Sequence, residues 1–153
     1  MAAGEKQPAM GALSAERMLH LPVHLHGILL GRSVDLLLDP AEWRAVGFDV
    51  VCGDGASRFL PFTTTTIRDD DIVVDSALML LEDVDFYRTR ARSLRALIGS
   101  PTDVDGVAAG RLRDLELATD GTAVKLLLER DGAEYRVEPG RARVVVTTRR
   151  DAA

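Results

Sequence analysis

The 153-residue sequence predicts a mainly β protein: two tandem small β-barrel-like units joined by a short helical or extended connector. Three observations carry this reading. One block of residues recurs at a constant offset, apolar residues alternate along short segments, and glycine turns separate those segments.

The recurrence comes first. Residues 24–38 read His-Leu-His-Gly-Ile-Leu-Leu-Gly-Arg-Ser-Val-Asp-Leu-Leu-Leu, and residues 103–117 read Asp-Val-Asp-Gly-Val-Ala-Ala-Gly-Arg-Leu-Arg-Asp-Leu-Glu-Leu. At an offset of 79 the pairs Gly27/Gly106, Gly31/Gly110, Arg32/Arg111, Asp35/Asp114, Leu36/Leu115 and Leu38/Leu117 are identical. Shared glycines mark backbone geometry rather than bulk composition.

The elements then follow in order. Residues 1–19 read as a flexible tail with one helical turn near Leu13 to Met18, and 20–82 form the first unit. Its strand Val46-Gly-Phe48-Asp-Val50 alternates as a half-buried strand requires, and so does its counterpart Val124-Lys-Leu126-Leu-Leu128. Asp54-Gly55 and Asp131-Gly132 are expected to form type I′ hairpin turns. Ile72-Val73-Val74 and Val144-Val145-Val146 close the two units. A connector at 83–96 lacks proline and glycine, the second unit spans 97–148, and 149–153 form a C-terminal tail. Each unit is too short to bury enough surface unless its sheet curls on itself, which favours small barrels. The two are expected to pack about an approximate twofold axis.

Composition narrows the function classes. No apolar run approaches the ~18 residues of a membrane span. Ile28-Leu29-Leu30 and Ala77 to Leu81 both fall far short, and the N-terminus does not read as a secretory signal. The expectation is a soluble, cytoplasmic protein without membrane insertion. Cys52 is the only cysteine, which excludes an intrachain disulfide and reads as a packing residue. Residues 1–85 hold 6 basic and 14 acidic side chains, and 86–153 hold 13 and 10, together giving the net charge of −5. An acidic half beside a mildly basic half favours attraction within the chain or toward a partner.

The pattern Gly31-Arg32-Ser-Val-Asp35-Leu36-Leu-Leu38-Asp39-Pro40, then Val46-Gly47-Phe48, Leu60-Pro61 and Asp70-Asp71-Ile72-Val73-Val74, resembles the PRC-barrel domain. The second copy shows Gly106, Gly110-Arg111, Asp114-Leu115 and Asp131-Gly132. The family's fold is shared by the cytoplasmic part of the photosynthetic reaction-centre H subunit and by a bacterial ribosome maturation factor. The resemblance implies a tandem pair of small barrels in a bacterial protein. It carries neither of those two jobs, because the membrane anchor and the companion barrel have no counterpart here.

Candidate chemistry is sparse. Arg32/Asp35 and Arg111/Asp114 occur in both copies and read as turn-fixing or inter-strand charges. His20, His24 and His26 cluster in the opening strand, with His24 and His26 on one face as weak metal candidates. No cysteine or neighbouring carboxylate completes a site, so no metal and no cofactor is expected. Thr63 to Thr66 and Arg68-Asp69-Asp70-Asp71 read as plain surface, and no nucleophile turn points to catalysis. Arg88, Arg90, Arg92 and Arg95, which follow Phe86 and Tyr87, are the candidate partner-binding residues. The leading expectation is a non-catalytic module that binds another protein. The alternatives are an RNA- or ribosome-associated factor using those arginines, and a metal-binding or enzymatic role for the histidines.

Overall fold

Two tight hairpins open the two halves of the fold, and both depend on backbone that few residues adopt. The computed structural model describes residues 13–145. Strand β1 (Leu13–Ser14) precedes the first hairpin, made of β2 (Pro22–Leu25) and β3 (Ile28–Asp39). It turns on His26 and Gly27, with φ of 49° and 81°. The second hairpin turns on Asp105 and Gly106, with φ of 54° and 81°. Two consecutive positive φ values define the type I′ turn, which explains a Gly at the second position and a His or Asp at the first.

From β3 the chain meanders through β4 (Arg44–Cys52) and β5 (Ser57–Pro61), then through the short β6 (Thr65–Ile67) and β7 (Ile72–Val74). Helix α1 (Val84–Arg90), β8 (Arg92–Ser93) and the single turn α2 (Leu94–Leu97) follow. The second half contains β9 (Pro101–Val104), β10 (Val107–Leu117), β11 (Ala123–Arg130), β12 (Ala133–Val137) and β13 (Ala142–Val144). The fold is mainly β and holds two sheets, ordered β5-β4-β3-β2-β7-β6 and β12-β11-β10-β9-β13.

The glycine of each Gly-Arg pair is required by close approach. A Cβ on Gly31 would lie 2.5 Å from the Val51 carbonyl oxygen, and one on Gly110 would lie 2.5 Å from that of Glu129. Each long strand crosses its neighbour's backbone at the same point of the repeat. A register shift follows shortly after in both, between Ser33 and Asp35 and between Leu112 and Asp114. Such bulges bend the strand and re-aim the next side chain.

The two short strands outside these paths exchange places. β1 belongs to the first half by sequence but pairs with β10, matching Leu13 to Leu117 and Ser14 to Glu116. β8 leads into the second half but pairs with β3, matching Leu38 to Arg92 and Leu37 to Ser93. The β3–β4 and β10–β11 turns also meet: Ala45 N–H donates to Gly121 O at 2.8 Å, and Ala123 N–H donates to Trp43 O at 2.9 Å. Each half therefore completes a sheet of the other.

One apolar core runs through both halves. Leu36, Phe48, Leu60 and Ile72 meet Leu112, Leu115, Leu126 and Leu128, all without solvent exposure. The exchanged segments contribute Ala15 and Met18 from one side and Leu94 and Leu97 from the other. A buried side chain of this size contributes about 1.5–3 kcal/mol.

Several expectations need correction. Residues 13–18, read as the end of a tail with one helical turn, form β1 and a 3-10 turn at Glu16–Met18, and Ala15 and Met18 are core, while 1–12 and 146–153 lie outside the described residues. Residues 92–96, read as connector, belong with Leu97 to β8 and α2, seated on β3. Asp54-Gly55 is not a type I′ turn. Only Gly55 has positive φ (84°), and Gly55 N–H closes on Cys52 O, giving a three-residue loop, whereas Asp131 and Gly132 both have positive φ. The closing strands run in opposite senses: β7 is parallel to β2, and β13 is antiparallel to β9.

Candidate interaction surface

The four connector arginines are placed by α1, β8 and α2 along the first half. Val84 and Tyr87 of α1 pack on the outer face of β3 and β5 with Leu37 and Phe59, and the Tyr87 ring stacks on Phe59 at 3.8 Å. That seat brings the Arg88 guanidinium to Asp49, with Nε donating at 2.8 Å, while Nη1 donates to Asp85 at 2.9 Å. Asp49 is only 6% exposed, and its other oxygen, Oδ1, is buried without a hydrogen-bond partner. The hydrogen bond from Arg88 to Asp49 raises the guanidinium pKa above its ordinary value. Arg90 lies 3.7 Å above the Phe86 ring and donates to the Phe86 carbonyl at 3.1 Å. Arg95 Nε donates to the Val34 carbonyl, and its Nη2 lies 2.9 Å from His20 Nε2. Arg92 is exposed on β8. Three of the four predicted binding arginines thus hold the chain to itself.

The outer face of the second half is covered differently. Where the first half has Leu37, Asp49 and Phe59 beneath α1, the second has Glu116, Leu127 and Arg136, and Arg136 Nε donates to Glu116 at 2.7 Å. Lys125 pairs with Glu138 alongside. Ion pairs under solvent replace the helix.

His24 and His26 line one shallow pocket beside Asp71 and Asp75. His26 occupies the hairpin turn, while His24 on β2 donates from Nδ1 to Asp71 Oδ2 at 2.9 Å. Asp71 is buried and also accepts from Arg68 Nε at 2.8 Å, so the stretch read as plain surface anchors β7 to β2. Its partner lies 47 residues away, which is why no neighbouring carboxylate was visible. Among the described residues, no group of three or more His, Cys, Asp or Glu side chains is placed to hold a metal ion.

The repeated Arg and Asp do not pair with each other. Arg32 Nη1 donates to the His20 carbonyl at 3.2 Å, and Arg111 Nη1 to the Gly99 carbonyl at 2.8 Å. Asp35 accepts from Ser93 Oγ and Arg95 N–H, and Asp114 accepts from Ser14 Oγ and Glu16 N–H. All four side chains fasten segments rather than present chemistry.

Several large apolar side chains are exposed instead. Leu78 is 84% exposed, and Ile28 and Leu29 are 62% and 54% exposed on the start of β3. Leu78 borders a groove of about 460 Å³ with Leu30, Cys52, Ala77, Leu80 and Arg58. The two short runs too brief for a membrane span therefore meet at this groove through Leu30, Ala77, Leu78 and Leu80. The sequence showed both runs, but nothing in it said that they face outward. Among the described residues, no helix is long and apolar enough to cross a membrane. No protein-family model matches the chain, and a search of curated proteins returns no match.

Proposed function

We propose that this protein is a non-catalytic interaction module, a duplicated PRC-barrel-like scaffold that binds another protein through the apolar surface around Leu78. The duplication is supported by turns, close glycines, bulges and backbone-anchoring arginines that recur at one offset. The observation that carries the binding reading is the largely exposed Leu78 beside the groove lined by Leu30, Ala77 and Leu80. Exposed large side chains grouped on one face are the usual mark of a protein contact. The RNA-associated alternative loses ground because Arg88, Arg90 and Arg95 are engaged within the chain.

The test is capture of partners from the native host by tagged wild-type and Leu78→Asp protein, with and without nuclease. A stoichiometric protein that survives nuclease and is lost with Leu78→Asp supports the reading. Ribosomal proteins released by nuclease, equally from both, would oppose it and favour the RNA-associated role.

A further inference from the structure

The free edge of β12 offers a second surface, remote in kind from the apolar groove. In the first half the corresponding edge strand, β5, is closed by the chain itself. Phe59 N–H donates to Leu81 O at 2.8 Å, and Leu81 N–H donates to Phe59 O at 2.7 Å. Arg136 stands opposite Leu127 as Phe59 stands opposite Asp49, yet among the described residues nothing pairs with the outer edge of β12. Ala133 to Arg136 are all exposed, with Tyr135 at 37%. An open edge of this kind is a template for strand addition.

The sequence of the edge selects its occupant. Arg130 and Ala133 flank the two-residue turn, so Ala133, Tyr135 and Val137 direct their main-chain groups to β11. Glu134 and Arg136 direct theirs outward. We propose that β12 pairs antiparallel with β12 of a second copy of this chain, with the twofold axis at Tyr135. Glu134 then faces Arg136 of the second copy, Arg136 faces its Glu134, and four main-chain hydrogen bonds form. Tyr135 meets Tyr135 on the other face, between two Ala133–Val137 pairs.

The register is specified by charge. Sliding the pairing by two residues in one direction sets Glu134 against Glu134, and in the other sets Arg136 against Arg136. The Tyr135-centred register also extends pairs that already cross the sheet, Arg136 to Glu116 at 2.7 Å and Arg113 to Glu134 at 3.8 Å. Opposite charges on facing positions stabilise such a pair, and like charges oppose it.

Sedimentation velocity of the full chain over a range of concentrations tests this. The wild type is expected to pass reversibly from monomer to dimer. Glu134→Arg and Arg136→Glu should each raise the dimer dissociation constant at least about tenfold, because each sets like charges opposite one another twice. An equimolar mixture of the two variants should associate again, as a heterodimer, which also shows that both are folded. Leu78→Asp should dimerise like the wild type, so this surface and the apolar groove fail separately. A wild type that stays monomeric at every concentration, single variants that dimerise unchanged, or a mixture that does not associate would each overturn the proposal.

Discussion

Asp35 and Asp114, 79 residues apart, hold the same position in the two halves and clamp the same kind of segment, each taken from the other half. Asp35 accepts from Ser93 Oγ and the Arg95 amide. Asp114 accepts from Ser14 Oγ and the Glu16 amide. Both also accept the N–H of the following leucine, at 2.9 Å and 2.7 Å. The bulge before each aspartate turns its carboxylate toward the incoming strand.

Equal loss at the two clamps follows. Asp35→Ala and Asp114→Ala should each destabilise the chain by about 1–3 kcal/mol, because partly buried donors are left without an acceptor. Urea unfolding read by circular dichroism checks both. A large loss at one site with none at the other would break the equivalence.

The exchanged segments are core. Met18→Ala and Leu94→Ala remove fully buried side chains and should each cost about 2–5 kcal/mol. Deleting residues 1–18 should destabilise more than deleting 1–12, since Ala15 and Met18 go with the longer cut. Thermal melts of the two truncations decide this.

Arg88 and Asp49 act as a unit. Arg88→Ala strands a buried carboxylate and should cost about 1–3 kcal/mol, discounted because the arginine is partly exposed. Adding Asp49→Leu to Arg88→Ala should recover most of that loss, as the second half carries Leu127 at the equivalent position. Recovery is read from urea midpoints, and a double variant weaker than Arg88→Ala alone would contradict it.

Stability should fall on the acid side. The Arg141 hydrogen bond holds the Asp105 carboxyl below its ordinary range, Lys125 does the same for Glu138, and Arg58 for Asp54. Lowered folded-state values favour the folded chain above the unfolded carboxylate pKa of about 4, and that contribution is lost as pH falls through the lower folded values. Melting temperature should be level from neutral pH to about 5 and decline below. Arg141→Ala should flatten part of that decline.

Much of the fold was legible because it is written locally. Gly27 and Gly106, Gly31 and Gly110, and the alternating Phe48–Val50 and Leu126–Leu128 segments each specify a turn, a crossing or a strand by their own chemistry. Val46 and Val124 leave that alternation at a register shift, Val46 packing with Leu37 and Phe59 and Val124 exposed. The exchange was not legible, since Ser14 and Ser93 reveal their role only beside aspartates 100 and 58 residues away. Arg88, Arg90 and Arg95 misled for the same reason: a charged residue next to an aromatic looks alike whether it faces a phosphate or the chain's own carbonyl. Leu78 was visible as an apolar residue, but its exposure depends on the path of the chain after β7.

The central claim is that the two halves fold as one body by exchanging their first strands. Its most direct measurement is coexpression and mixing of residues 1–82 and 83–153, followed by size-exclusion chromatography and circular dichroism. The account predicts that neither fragment alone unfolds cooperatively, and that together they form a one-to-one complex with the spectrum of the intact chain. Two fragments that each fold cooperatively and do not associate would contradict it.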